Sequence, residues 1–319
     1  MRKFQVKPPN FRVKVIDHHN KEFTWIGYAE SKTDLEKALQ RGFKQVVSIK
    51  PFDLAKWQKR ATKETENVIT WRGANASKKT GEYEWRDTVW KYLKVYLFSV
   101  TRGRCAFCET DALTVSPGDV EHYRPKAAVE GEAEHNGYYW LAYSVENYLP
   151  SCGNCNSSGK MNKFPVSGTR AYGPNDKLEE EKADLLNPFD AKDDPPDKHL
   201  EFVIGDVKNP LGTVGSTTHR GKQTIEILKL NRQPLVDRRA QETLQFLLKL
   251  DEEYLNELQS EKLGAKQDRV RDYITRFRTE GAEYYAAKMA ALRVWLKNWE
   301  ERRAAEQKAF TEAMDPEIP

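Results

Sequence analysis

All four cysteines of the chain fall into two Cys-x-x-Cys pairs, Cys105 with Cys108 and Cys152 with Cys155. Two thiolates at this spacing bind one zinc ion together, and two such pairs complete its tetrahedral coordination. In a chain of 319 residues, this use of every cysteine favours a metal site over a disulfide framework or four unrelated buried thiols. Because all four positions are filled, we expect a structural zinc that clamps the ends of residues 109–151.

The composition is that of a globular protein in water, with 39% hydrophobic and 31% charged residues. The length allows about two domains. No apolar run approaches the roughly 20 residues that a membrane-spanning helix needs. Residues 1–9 contain no apolar core of a signal peptide. We therefore expect a cytoplasmic protein with no membrane partner.

Positive charge is concentrated ahead of the cysteine pairs. Residues 1–100 contain 21 Lys and Arg against 11 Asp and Glu, whereas residues 101–170 contain 7 against 8. A basic segment is either a solvated surface or a surface that binds phosphates. The tryptophans of this segment, Trp25, Trp57 and Trp71, either form an ordinary core or stack on bases. One hypothesis is that residues 1–84 supply the grip on DNA.

The pattern of apolar residues predicts an α+β chain with four regions. These are a basic amino-terminal α+β region, a module that contains the cysteines, an irregular extension of that module, and a helical region, at residues 1–84, 85–168, 169–232 and 233–319.

Within the first region, alternation predicts strands at residues 11–16 and 23–28, and Ser31 with Asp34 predicts a capped helix that reaches Phe43. Residues 72–82 are polar and predict a mobile loop. Further on, the spacing of Trp85, Val89, Tyr92, Leu93 and Tyr96 predicts one helix over residues 85–100.

The last region predicts two long helices, at residues 234–260 and 266–312. Asn231 is a plausible cap, and Pro234 is tolerated in the first turn. An apolar stripe is expected on the first of these helices, at Leu244, Leu247, Leu248 and Tyr254. The helices are expected to pack on the module, to form a homo-oligomer or to bind a partner, with packing as the default.

Two segments near the cysteines contain residue types that hydrolytic chemistry requires. Residues 119–126 are Asp-Val-Glu-His-Tyr-Arg-Pro-Lys, and residues 145–160 are Val-Glu-Asn-Tyr-Leu-Pro-Ser-Cys-Gly-Asn-Cys-Asn-Ser-Ser-Gly-Lys. This order of acid, histidine, proline, asparagine, cysteine pair, asparagine and lysine resembles the HNH, or ββα-metal, nuclease superfamily. The resemblance implies a zinc-stapled ββα-metal core.

Hydrolysis of a phosphodiester needs an activated water and stabilisation of a highly charged transition state. An imidazole can accept the proton near neutral pH, and a cation held by oxygen ligands can neutralise the charge. By resemblance, His122 is the general base, while Glu121 and the side-chain oxygen of Asn156 hold Mg²⁺ or another divalent cation. Asn147 would fix the imidazole or the hairpin, and Lys160 would lie near the scissile phosphate.

This pattern departs from the commonest one at two positions. Glu121 replaces the usual aspartate, and Asn156 stands where histidine is frequent. Both residues offer oxygen to a hard cation, although asparagine is a weaker, neutral ligand. Asp119 is a rival ligand that spacing alone does not exclude.

The remaining histidines give weaker signals. His135 precedes an aromatic run and either contacts substrate or metal or has a structural role. His18 and His19 are expected in an exposed turn, and His199 and His219 are left unassigned.

Further segments are similar to the HNH nucleases of Septu-type and retron-linked bacterial anti-phage systems. They include Cys-Ala-Phe-Cys-Glu at residues 105–109, Gly-Tyr-Tyr-Trp-Leu-Ala-Tyr at 137–143 and Leu-Leu-Asn-Pro-Phe at 185–189. The resemblance covers about residues 90–240. It implies a DNA-cutting effector of bacterial anti-phage defence, with a partner ATPase as an open inference.

Two other functions remain open from the sequence. A catalytically silent zinc-ribbon adaptor that binds nucleic acid or protein would need the cysteines but neither Glu121 nor His122. An RNA-cutting toxin would have much the same site. A His122 ring turned into an apolar interior, or far from Glu121 and Asn156, would argue for the adaptor.

Overall fold

A computed structural model of the chain describes residues 1, 7–16, 18–42, 44–115, 118–203, 212–262, 268–280 and 282–313. It shows a mixed α and β protein with small antiparallel sheets. Two compact units are formed, one by Met1–His199 with Ser216–Lys229 and the other by Leu200–Gly215 with Leu230–Pro319. Among the described residues, no helix combines the length and the apolar character needed to cross a membrane.

The first unit begins with a three-stranded antiparallel sheet in the order β2-β1-β3. Its strands are β1 (Phe11–Ile16), β2 (Glu22–Gly27) and β3 (Gln45–Pro51). Alternation along β1 buries Val13 and Val15 against helix α1 (Lys32–Gly42).

The structure confirms the two strands and the helix that the sequence predicts here. The hydroxyl of Ser31 accepts a hydrogen bond from the backbone N–H of Asp34, at 3.1 Å, as a capping residue does. Phe43 lies outside the described residues.

Helix α2 (Leu54–Ala74) follows and extends into the segment predicted as a loop. The side chain of Asp53 caps it by accepting a hydrogen bond from the N–H of Lys56, at 2.8 Å. Beyond the helix, the buried hydroxyl of Thr80 donates to the carbonyl of Asn136. The loop predicted over residues 72–82 is therefore shorter than expected, because α2 continues to Ala74 and a 3-10 turn spans Thr80–Glu82.

The helix predicted over residues 85–100 is divided into α3 (Thr88–Lys91) and α4 (Lys94–Val100). At the division, the N–H of Leu93 bonds to the carbonyl of Trp90, three residues back, at 3.0 Å. This bond, from one residue to the third before it, is the tighter turn that separates the two helices. Val89, Leu93 and Tyr96 are buried as the spacing predicts.

The cysteine module of this unit is built on one hairpin. After the short helix α5 (Ala112–Val115) come β4 (Asp119–His122) and β5 (Tyr148–Ser151), which pair antiparallel. One helical turn, α6 (Gly153–Cys155), leads directly into a π-helical turn at Asn156–Lys160. Helix α7 (His219–Ile227) completes the unit.

In the second unit, the residues that the structure describes form a two-stranded sheet and three helices. The strands are β6 (Glu201–Phe202) and β7 (Val214–Gly215), and the helices are α8 (Gln233–Lys262), α9 (Arg269–Glu280) and α10 (Tyr285–Ala313). These two strands are short, and they lie within the irregular extension predicted for residues 169–232. The helices share a core of seven buried side chains: Phe246, Leu250, Tyr254, Val270, Phe277, Leu292 and Trp295.

Three details of this unit differ from the sequence predictions. The second long helix is divided before Tyr284, whose φ of 50° cannot continue a right-handed helix. Asn231 uses its side chain to bond both backbone groups of Val214, at 2.9 and 2.8 Å, and so joins a strand to the start of α8. Leu244 and Leu248 are exposed, so they do not belong to the buried stripe that Tyr254 joins.

Candidate metal centre and adjoining active site

The four cysteines meet in one buried cluster. Their sulfur atoms all lie within 4.8 Å of one another. Cys108 and Cys152, from different pairs, have their sulfurs 3.7 Å apart. Four sulfurs placed tetrahedrally at about 2.3 Å from one zinc would be about 3.8 Å apart, whereas a disulfide requires about 2.05 Å. The sequence-predicted ligand set is therefore assembled in a geometry that could hold zinc.

Backbone hydrogen bonds bring the two cysteine pairs together. The N–H of Ala106 bonds to the carbonyl of Pro150 in β5, at 2.8 Å, so the first pair is attached to the strand that leads into the second. The pKa of the Cys108 thiol is lowered because the thiols of Cys105, Cys152 and Cys155 donate to its thiolate. Zinc binds thiolates, so the chemistry of this donor set fits the ion.

Glu121 and His122 are neighbours on β4, and their side chains project to opposite faces of the hairpin. In the antiparallel register Glu121 lies opposite Leu149, and His122 lies opposite Tyr148. The two residues therefore enter different surroundings.

Glu121 is paired with Lys160 inside the protein. The Lys160 Nζ donates to Glu121 Oε1 at 2.7 Å and to the carbonyl of His122 at 2.9 Å, and the lysine side chain is 0% exposed. Burial raises the pKa of the Glu121 carboxyl, and the positive charge of Lys160 opposes that rise. Because its ammonium is enclosed and already bonded, Lys160 would have to move before it could contact a phosphate.

The π-helical turn explains how Lys160 reaches the hairpin. The N–H of Met161 bonds to the carbonyl of Asn156, five residues back, at 2.8 Å. Such wide turns occur often at functional sites. Gly159 permits the close packing of this turn, because a Cβ there would lie 2.9 Å from the carbonyl oxygen of Asn154.

His122 lies in an aromatic enclosure. Its ring packs edge-to-face against Trp90 and Tyr148, with centroid distances of 5.0 and 5.3 Å, and the residue is 7% exposed. The Nε2 atom lies 3.0 Å from the carbonyl oxygen of Ala142. A carbonyl can only accept, so Nε2 carries the hydrogen and Nδ1 keeps the lone pair.

The surroundings keep this imidazole neutral. Burial, followed by the positive charge of Lys126, lowers the pKa of His122 to about 3. Nδ1 is therefore available as a proton acceptor throughout the neutral range, but with low proton affinity in the substrate-free protein. This enclosure is close to the apolar interior that would favour a binding module over a nuclease.

Asn147 braces the hairpin. Its Oδ1 accepts from the N–H of Arg124 at 2.8 Å, and its Nδ2 donates to the carbonyls of Arg124 and Leu141 at 3.0 and 3.2 Å. The resemblance implies that Asn147 fixes either the imidazole or the hairpin, and these contacts match the role in the hairpin.

The other candidate oxygen ligands for a cation are Asp119 and Asn156. Asp119 begins β4 and Asn156 begins the π-helical turn, and both are partly exposed. Neither side chain makes a hydrogen bond or ion pair with the part of the chain that the structure describes. The oxygen chemistry of Glu121, Asn156 and Asp119 fits a hard cation, with Lys160 as a competing cation at Glu121. Within the described ranges, only the cysteines form a group of three or more His, Cys, Asp or Glu ligands.

His135 has a structural role. Its Nδ1 accepts from the N–H of Gly137 at 2.9 Å, and its Nε2 donates to the carbonyl of Ala171 at 2.8 Å. With both ring nitrogens engaged, it has no lone pair for a metal. The exposed turn predicted for His18 and His19 is confirmed.

Trp90 and Lys126 also lie at this site, although the sequence alone predicts no role for either residue. The Lys126 Nζ lies 5.7 Å from the ring centroids of both Trp85 and Trp90. Lys126 ends the segment 119–126 that contains the acid and the histidine, so its place in the sequence was a usable signal. Trp90 lies 32 residues before His122, and no local signal connects the two.

Two curated proteins are similar to this chain. It is 36% identical over 155 residues to the Septu protein PtuB of Bacillus mycoides (strain KBAB4), which covers 46% of this chain and 50% of that protein. It is 30% identical over 162 residues to the Septu protein PtuA of the same strain, which covers 49% of this chain and 21% of that protein.

These matches confirm the resemblance to Septu proteins. The chain spans half or less of the length of each of these relatives. No protein-family model and no solved structure matches it.

Proposed function

We propose that the chain is a metal-dependent HNH-type endonuclease that hydrolyses phosphodiester bonds in DNA. One observation carries the proposal. The acid and histidine of β4 are joined to the π-helical turn by Lys160, next to a four-thiolate cluster that could hold zinc. A hairpin, a helical turn after it and a cluster of four cysteines are the parts that the motif leads us to expect of a ββα-metal site, and their proximity supports the proposal.

In this proposal, oxygens of Glu121 and Asn156 hold a divalent cation, with Asp119 as the rival ligand. When bound, such a cation neutralises charge that develops on the phosphate. His122 accepts a proton from the attacking water at Nδ1. The carbonyl of Ala142, bonded to Nε2–H, orients the ring and stabilises the imidazolium that forms.

Bound substrate would also improve the base. The positive charges of Lys126 and Lys160 lower the proton affinity of His122 in the free protein. A negatively charged phosphate near these lysines counteracts that effect and moves the pKa of His122 toward the neutral range. The histidine therefore becomes a better base when substrate is present.

We further propose a role in bacterial anti-phage defence, in the cytoplasm. The similarity to Septu proteins supports this role. Because both PtuB and PtuA carry the Septu name, the similarity also favours a protein partner, for which an ATPase is our candidate. Homo-oligomer formation through α8 and α10 is the alternative use of the helical unit.

The enclosure of His122 favours a second candidate function, a zinc-stapled module that binds nucleic acid or protein without cutting. At 7% exposure, the ring offers little surface to a water molecule or a substrate. The binding module requires the thiolate cluster and the hairpin but no accessible base.

The deciding experiment incubates the protein with plasmid DNA and, separately, with RNA, in Mg²⁺, Mn²⁺ or EDTA. We expect DNA cleavage that requires the cation. Cleavage of RNA alone would identify an RNA-cutting toxin, and absence of cleavage of both would favour the binding module.

His122→Gln is the sharpest variant for this assay. The glutamine amide can still donate to the Ala142 carbonyl, but it cannot accept the proton from water. Cleavage should fall by about 10²-fold or more, with thermal unfolding and zinc content close to those of the original protein. Full activity of this folded variant would exclude His122 as the base.

A further inference from the structure

Lys126 is a cation without a protein anion. Within the described residues no carboxylate lies within ion-pair distance of it, and its ammonium lies over the rings of Trp85 and Trp90. The side chain is only partly exposed. A lysine in this setting loses hydration without gaining a counter-ion, which costs free energy in the folded protein.

The neighbouring lysine has the opposite arrangement. Lys160 is bonded to Glu121 Oε1 and to a backbone carbonyl, so its charge is satisfied within the hairpin. Lys126 is close enough to Glu121 and His122 to affect the pKa of both groups. Lys160 is thus the ammonium that contacts the buried carboxylate, while Lys126 contacts the two indoles and no carboxylate of the described residues.

Trp90 connects this cation to the histidine. The same indole lies 5.0 Å from the His122 ring and 5.7 Å from the Lys126 Nζ, measured to ring centroids. The indoles thus hold a partly exposed positive charge beside the base, and no carboxylate of the described residues forms an ion pair with it. A group that binds there must be an anion.

We propose that Lys126, held by Trp85 and Trp90, binds a backbone phosphate of the nucleic acid, and that Lys160 does not. The assignment rests on the proposed function for the identity of the anion. It replaces the expectation that Lys160 lies near the scissile phosphate, because that ammonium serves Glu121. The cation–π contacts orient the Lys126 ammonium but leave its positive charge available to an anion, because the rings carry no net charge.

The test measures binding of a fluorescent DNA duplex without added Mg²⁺ or Mn²⁺ and without a chelator, so that metal-dependent cleavage is avoided and bound zinc is retained, across a series of salt concentrations. Lys126→Met removes the charge and keeps the length of the side chain. We expect about tenfold weaker binding, and a salt dependence reduced by about one counter-ion. Lys126→Arg, which retains a positive charge, should restore most of the affinity.

Lys177→Met is the matched control, because Lys177 is an exposed lysine that pairs with Glu180 on the surface. It should bind DNA like the original protein. Thermal unfolding separates binding from folding, since loss of an unpaired, partly buried ammonium should leave stability unchanged or higher. Equal affinity and equal salt dependence for Lys126→Met and Lys177→Met would overturn the proposal.

The outcome is distinguishable from failure of the proposed function. If the original protein cuts nothing but Lys126→Met still weakens DNA binding, Lys126 remains a phosphate-binding residue of a binding module. If the original protein cuts DNA and Lys126→Met binds and cuts equally well, the phosphate assignment is wrong while the nuclease stands.

Discussion

Lys160→Met should destabilise the first unit strongly, because it leaves the Glu121 carboxylate without its partner. Glu121 is 5% exposed and Lys160 is 0% exposed, so water cannot replace the lost ammonium. Removal of one partner from a buried ion pair costs about 3–5 kcal/mol. For a unit of this size, each kcal/mol lowers Tm by about 2–4 °C, so we expect a decrease of about 10 °C.

Thermal and urea unfolding of three variants tests this reasoning. Lys177→Met breaks the exposed Lys177–Glu180 pair, whose side chains are 68% and 54% exposed, and should change stability by less than about 1 kcal/mol. The double variant Glu121→Gln with Lys160→Met removes both charges and should regain part of the loss. Equal Tm values for Lys160→Met and Lys177→Met would refute the stabilising role of the Glu121–Lys160 pair.

The pH dependence of Lys160→Met gives an independent check. Burial raises the pKa of Glu121 in the folded protein above its value in the unfolded chain, and loss of the lysine removes the charge that opposes this rise. The folded state then binds the proton more tightly than the unfolded state does. The loss of stability should therefore be largest at high pH and should shrink as the pH falls through the raised pKa. A pH-independent loss would point to packing instead.

Two further predictions concern the zinc frame and the basic segment. Zinc analysis should find one ion per chain. Cys152→Ser should lose both the ion and the cooperative unfolding of the first unit. A Cys152→Ser variant that folds without zinc would contradict the proposed clamp at the ends of residues 109–151. Replacement of Lys56, Lys59 and Lys63, which share one exposed face of α2, by glutamine should weaken DNA binding and lower its salt dependence by up to about three counter-ions. Unchanged binding would assign these lysines to the solvated surface.

The triple replacement on α2 is a cleaner test than removal of residues 1–84. Trp57 is buried, and its indole N–H donates to the carbonyl of Val89 at 3.0 Å. Deletion would therefore remove part of the packing under α3 together with the charge. The buried Trp57 also matches the ordinary core that the sequence analysis held open against base stacking.

The sequence predicted well wherever a short segment determines the structure. Cysteine spacing predicted the cluster of four sulfurs because each pair needs only one local turn to present two sulfurs. The alternation of apolar and polar residues identified β1 because successive residues of a strand face opposite sides of the sheet. The left-handed conformation of Tyr284 has no such signal, because tyrosine rarely adopts it.

The surroundings of the site residues depend on contacts between distant segments. His122 is enclosed by Trp90 and by a carbonyl 20 residues further along the chain. Lys160 meets Glu121 across 38 intervening positions, which places the ammonium on an acid rather than on a phosphate. A motif specifies which residue types are present, but only the tertiary fold decides which cation serves which anion.

The four-cysteine cluster and the proposed active site share one continuous piece of chain, and this should couple them energetically. β5 places Tyr148 against His122 and then runs directly into Cys152, while Lys160 follows Cys155 within a single π-helical turn. Loss of the thiolate-bound metal would release both ends of this piece, and the Lys160 ammonium would lose the geometry that brings it to Glu121. A zinc that contacts no substrate can thus control whether the histidine, the acid and their two lysines form a site at all.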